Sequence, residues 1–168
     1  MTISMYQASA PRFVNMLNNL AAILDKAQAH CEAKKIDPLV LASSRLFPDM
    51  LPFARQVTIA CDHAKGAVAR LAGVEIPKHE DVEKTLQELK ARVAKTVAFI
   101  GTITPAQVDG SEEKAIVLKL GSREVTFRGM QYLLGSALPN FYFHVVTAYD
   151  ILRHNGVELG KRDFIGTP

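Results

Sequence analysis

The chain has 168 residues, 48% of them hydrophobic and 22% charged, with 20 Lys and Arg against 17 Asp and Glu. That much apolar surface excludes a disordered chain, and no run approaches the roughly 18 apolar residues a membrane span needs. The charges alternate in sign, no basic block exceeds Lys34-Lys35 or Lys161-Arg162, and Trp is absent, so nucleic-acid binding is not expected.

The length fits one domain, 1–168. The opening MTISMYQASAPRF has no basic stretch followed by an apolar core, so no signal peptide is expected. Cys31 and Cys61 fall at apolar helical positions, which favours free buried thiols and a cytoplasmic location.

The first helical period runs from about Ser4 to Lys35, with Phe13, Leu17, Leu20, Leu24, Ala27 and Cys31 on one stripe. Ser4 and Gln7 match a capping box, and Pro11 predicts a kink or a true start near Ser9. Asp37-Pro38 opens a short helical turn through Ser43, and 45–50 reads as a loop. A second helix spans about Leu51 to Ala72, its stripe rich in small residues, and Gly73 ends it. A third is expected from Glu80 to Thr102, with Val82, Leu86, Leu89, Val93, Val97 and Ile100 inward and acidic residues in its first turn.

The pattern then changes to a hairpin at about 115–128, two β-rich runs around Gly121-Ser122. The last helix runs from about Met130 to Asn155, with Pro139 expected to bend or interrupt it, and a tail follows at 157–168, anchored by Phe164 and Ile165. Four long helices with one apolar stripe each can bury those stripes only against one another. The expected fold is therefore all-α: a four-helix bundle with a β-hairpin inserted between helices three and four.

Polar residues inside apolar stripes are the exceptions that carry information. His144 lies within the last helix's stripe, and Asn140 sits one turn before it on nearly the same face. Gln56 and His63 are seven residues apart and share an edge of the second helix, from which either could reach His144. Such a group can hold a water, an ion or a small ligand, although an inward histidine also serves as a hydrogen-bonded core residue. Tyr142 and Tyr149 share one side of the last helix, where they suit a helix or subunit interface, or a small-ligand pocket. His30, His79 and His154 are expected to be exposed, and Asp62 and Asp150 to be solvated or paired with Lys65 and Arg153. No nucleophile elbow, Cys-x-x-Cys, phosphate loop or inward carboxylate pair is present.

The stretch from His144 through Leu152-Arg153 to Gly156-Val157 resembles the closing segment of the DinB/YfiT-like helical bundles, a superfamily associated with metal-dependent chemistry. The chain as a whole resembles an uncharacterised domain-of-unknown-function family within it. The stretches that carry this are Met5–Ser9, Leu24–Ala27, Ala69–Gly73, Asn140–His144 and Gly160–Phe164. The resemblance implies a four-helix bundle with inserted strands and a site of three histidines. It also implies the metal-dependent or thiol-dependent transfer chemistry found in some members. This sequence departs at two of the three positions. Asn140 stands where the first histidine of a His-x3-His pair would be, and Val57 to Ala60 stand where the second helix would supply one, with His63 nearby.

The reading that follows is a cytoplasmic bundle that has lost the three-histidine site, with no metal expected, forming a homodimer that binds a small molecule or a protein partner. The polar-pocket candidates are Asn140, His144, Gln56 and Tyr149. The alternative is a metal-dependent transferase or hydrolase rebuilt around His144 and His63, with a divalent ion such as zinc or nickel. Neither nucleic acid nor a membrane is an expected partner, and no catalytic residue is assigned.

Overall fold

The computed structural model describes residues 3–166, so the outermost residues of the expected 1–168 domain and of the 157–168 tail lie outside the described residues. Helices α1 (Met5–Ala8) and α2 (Ala10–Lys34) replace the single first helix. Ser4 caps α1 by accepting from the Gln7 amide, and the break at Ser9 leaves Pro11 in the first turn of α2, where its missing N–H costs nothing. Asp37 caps α3 (Pro38–Ser43), and α4 (Phe53–Ala72) ends at Gly73, whose φ of 75° is the left-handed conformation that closes a helix.

Helix α5 (Leu86–Gly101) starts about two turns later than the sequence pattern suggested. Thr85 and Glu88 form its capping box, worth about 1 kcal/mol. Residues 80–84 are instead non-helical, and Val82 is 65% exposed rather than part of the stripe. Of the acidic residues expected to favour a helix dipole, Asp81 and Glu83 bind a buried arginine instead, as described below.

A short α6 (Pro105–Val108) leads to strands β1 (Ala115–Leu120) and β2 (Arg123–Arg128), antiparallel and in register from Ala115 opposite Arg128 to Leu120 opposite Arg123. Gly121, at φ 61°, makes the two-residue turn. The last helical run is continuous: α7 (Gly129–Tyr132), a π-helical turn (Leu133–Ala137) and α8 (Leu138–His154). Pro139 does not break it, because it follows the π turn, where the hydrogen-bond ladder is already shifted.

The bundle is built around α4, which packs against both α5 and α8, while α2 packs mainly on α5. The long connections 35–52 and 102–128 therefore cross the bundle. The face of α4 holding Ala60, Ala64, Ala67 and Val68 is fully buried, and these small side chains let the flanking helices approach closely. On the far side Phe13 of α2 meets Phe141 of α8 edge to face, with ring centroids 4.9 Å apart, a pairing worth about 1 kcal/mol beyond burial. The tail forms α9 (Lys161–Ile165) against α2, where Asn19 Nδ2 donates to the carbonyls of Phe164 and Ile165. Phe164 packs against the core as expected, but Ile165 is 49% exposed. Cys31 and Cys61 are both free and buried, and burial pushes the Cys61 thiol up to about 12, so it stays protonated. Among the described residues, no helix is long and apolar enough to cross a membrane.

Candidate functional site

Helices α4 and α8 meet along a polar ladder set into an otherwise apolar contact. On α4, Gln56, His63 and Arg70 recur every seven residues, close to two turns, and so follow one edge for about 21 Å. On the facing run, Tyr132, Ser136, Asn140 and His144 recur every four. Four residues overshoot an α-helical turn by about 40°, and the wider π turn between Tyr132 and Ala137 offsets part of that drift. Gln56 pairs with His144 at one end and Arg70 with Tyr132 at the other, so the two helices run antiparallel.

At the first end Gln56 is buried, and its Nε2 donates to the Leu51 carbonyl at 3.0 Å. That bond fixes the amide orientation and turns Oε1 toward His144. His144 Nδ1–H therefore donates to Oε1 at 2.7 Å, leaving Nε2 as a bare lone pair. Burial, with the neighbouring His63, holds the His144 imidazole down at about 4, so it is neutral at physiological pH. The His63 ring lies nearly parallel to it, with centroids 5.6 Å apart and planes 17° apart. Burial lowers His63 as well; Asp62 opposes that shift and Arg70 adds to it.

At the other end Arg70 Nη1 donates to the Tyr132 hydroxyl at 3.1 Å, and the guanidinium carbon lies 5.9 Å from the Tyr132 ring centroid. Burial raises the Tyr132 hydroxyl, which stays protonated. Between the two ends opens a cleft of about 290 Å³, walled by Asp62, His63 and Arg70 of α4, Leu118 and Lys119 of β1, and Tyr132, Ser136 and Asn140 of the last helical run. The inserted hairpin thus supplies one wall.

The structure brings Gln56, His63 and His144 together and places Asn140 one turn away on the cleft wall. Tyr149 is elsewhere: its ring packs on Phe164 of the tail, 6.1 Å between centroids. Tyr142 packs on Phe141 of its own chain. His79 is half-buried rather than exposed, with a buried Nδ1, while His154 is exposed as expected. Arg70, Tyr132, Ser136 and Lys119 were not among the sequence candidates. Arg70 could have been, since it continues the seven-residue spacing of Gln56 and His63; Tyr132 and Ser136 gain meaning only through the π turn.

A second polar cluster lies on the opposite side of α4. Arg92 of α5, 3% exposed, donates to the Glu80 carbonyl at 2.9 Å, Glu83 at 2.8 Å, Asp62 at 2.9 Å and Asp81 at 3.3 Å. Lys65 reaches the same Asp62 oxygen at 2.5 Å, as its spacing suggested, and Arg55 pairs with Asp81. Arg55 and Arg92 together hold the Asp81 carboxyl below its usual range despite its partial desolvation.

The donor set does not fit the three-histidine metal site that the superfamily resemblance implies. The helices supply two imidazoles, and the third position is the exposed Asn140, whose Nδ2 donates to the Ser136 carbonyl at 2.7 Å. An amide oxygen is a weak ligand for zinc or nickel. Among the described residues, no three His, Cys, Asp or Glu are grouped to hold a metal ion.

Residues 5–165 match a domain-of-unknown-function family, DUF1993. The chain is also similar to a solved structure of a DinB family member protein from Shewanella denitrificans, at 43% identity and a TM-score of 0.87, covering 97% of this chain and 92% of that one. No curated protein matches it.

Proposed function

This chain belongs to the DUF1993 family and has a DinB-like fold, and on that premise we propose that it is a cytoplasmic small-molecule-binding bundle. In this reading it works as a homodimer and has lost the three-histidine metal site of the wider superfamily. The observation that carries the reading is the cleft between α4, the last helical run and the hairpin. There His63, Arg70, Tyr132 and Asn140 converge on about 290 Å³ of space, at the lower end of the range that small-molecule sites occupy.

The ladder gives the cleft order. Gln56 fixes His144, His144 stacks against His63, and His63 forms part of the wall. The free cysteines support a reducing compartment. For the dimer, the support is an apolar outer face on α8, where Phe143 is 57% and Val146 40% exposed.

A thermal-shift screen of small polar metabolites tests the reading, run in parallel on the native chain and on Ser136→Trp, which fills the cleft. Hits on the native chain that vanish in the filled variant are expected. No hits, or hits indifferent to the filling, would overturn it. Stoichiometric zinc or nickel in the purified native protein, lost in His144→Ala, would replace it with metal chemistry at His144. Sedimentation showing only monomer at micromolar concentration would remove the dimer.

A further inference from the structure

We infer that the cleft takes its ligand by a carboxylate group, anchored on the guanidinium of Arg70. This rests on the reading of the cleft as a small-molecule site and adds the charge and chemical class of the ligand.

Arg70 is a half-buried cation held in place from one side only. Tyr132 occupies Nη1 with its hydroxyl and lies under the guanidinium with its ring. Among the described residues, no carboxylate lies within ion-pair distance of Arg70. The other partly or fully buried cations on α4 and α5 are treated differently. Arg55 has Asp81, Lys65 has Asp62, and Arg92 has Asp62, Asp81 and Glu83. The cleft's one carboxylate, Asp62, accepts from Lys65 and Arg92 on a single oxygen and so already answers two cations. With Lys119 on the hairpin wall, the cleft carries more positive than negative charge. A partly desolvated guanidinium without a counter-charge carries a cost, and a bound anion lowers it.

The geometry favours a carboxylate over a phosphate. With Nη1 engaged by Tyr132, the remaining N–H groups of the planar fork are left for a bidentate partner, the arrangement in which a carboxylate binds arginine best. Phosphates are commonly held by the free amides of a helix N-terminus. The wall residues of α4 lie in its middle and last turns, and Ser136 and Asn140 lie well inside the last helical run; Tyr132, in that run's first turn, meets the cleft through its ring and hydroxyl. The modest volume limits the occupant to a small acid.

Matched acids and amides test this by amide NMR shifts on the full chain: propionate against propionamide, benzoate against benzamide, and inorganic phosphate alongside. The acids should bind at least about tenfold more tightly than their amides and shift the resonances of His63, Arg70 and Asn140. Arg70→Gln should abolish the preference. If that variant fails to fold, Arg70→Lys, which keeps the charge and loses the fork, should reduce the preference at least about threefold. Amides that bind the cleft as well as their acids would remove the inference and leave the small-molecule reading standing. Phosphate binding more tightly than the acids would also overturn it, in favour of a phosphoryl ligand. No shift at the cleft from any probe at tens of millimolar, about the weakest useful affinity, would remove both.

Discussion

The two flanks of α4 are built from similar residue types and resolve them in opposite ways. Toward α5, Asp62, Lys65, Arg92, Asp81, Glu83 and Arg55 form one connected set in which every cation meets a carboxylate. Toward α8, Gln56, His63 and Arg70 meet His144, Asn140 and Tyr132, and the only formal charge on that ladder is an arginine without a carboxylate. Asp62 and His63 are neighbours in sequence and both border the cleft, but the Asp62 carboxylate is bonded to the cations of the α5 flank while His63 stacks on His144 of α8. On the α5 flank each cation has its carboxylate, and Arg92 ties the loop at 80–83 to α5. The α8 flank closes only at its ends and leaves a cleft between them, whose charges are Arg70, Lys119 and the already engaged Asp62. Matched charge marks the seam that holds the bundle together, and unmatched charge marks the seam with binding capacity to spare.

The largest test of that contrast is Arg92→Met. The arginine side chain is almost wholly buried, and its loss leaves Asp62, Asp81 and Glu83 without their shared cation. Breaking a buried ion pair from one side costs about 3–5 kcal/mol, so urea unfolding should show a drop of about that size. A loss below about 1 kcal/mol would mean that the α5 flank is no more structural than an exposed ion pair.

Next in size is a pH effect on the α8 flank. His144 is held at about 4 in the native state, against an ordinary value near 6.5. Between those values the unfolded chain binds more protons, so stability falls as pH drops through the window and levels off below it. With His144 partly exposed, the solvent-discounted effect is about 1–2 kcal/mol between pH 7 and pH 4. His144→Phe should lose less stability over that interval than the native chain, since the carboxylates titrate alike in both. Equal losses would show that the imidazole is not desolvated.

A smaller effect is expected from Gln56→Leu, which leaves His144 Nδ1 facing an apolar side chain. An unmet hydrogen bond there costs about 1 kcal/mol. The more informative readout is the imidazole nitrogen spectrum, in which the native chain should show the Nδ1–H tautomer and the variant a mixture. A native spectrum dominated by Nε2–H would reverse the assignment made from the Leu51 carbonyl.

Much of the architecture was legible in the sequence because it rests on local periodicity. The stripes of α2, α4 and α8, the cap at Gly73 and the hairpin around Gly121-Ser122 each follow from spacing within a few residues. The start of α5 was not legible for a physical reason. Glu80, Asp81 and Glu83 look like the acidic first turn of a helix, but Arg92, nine to twelve residues away, takes the Glu80 carbonyl and the Asp81 and Glu83 carboxylates and reaches them only if that turn is unwound. The Gln56–His63–His144 group could be read from helical arithmetic once α4 and α8 were neighbours. Arg70 obeys the same arithmetic, but its significance lies in the absence of a carboxylate, which depends on three-dimensional packing. Tyr149 shows the converse: its spacing suited the site, and the tail's Phe164 took its ring instead.

The smallest stability effect belongs to the residue with the largest proposed role. Arg70 makes one hydrogen bond, to an uncharged hydroxyl, and one ring contact, and it satisfies no carboxylate. Arg70→Gln removes a partly desolvated charge as well as those contacts, and the two terms oppose each other. The net change in unfolding free energy should therefore lie within about 0.5 kcal/mol of zero, against several for Arg92→Met. Both side chains are arginines at the surface of α4, so composition cannot account for the difference; their burial and their counter-charges do. A loss of about 2 kcal/mol or more at Arg70 would show that this guanidinium is a structural element like Arg92, and the α8 flank would lose its claim to an unfilled charge. A near-neutral result would leave Arg70 as a cation that folding does not need, and a bound anion as the natural reason for placing it there.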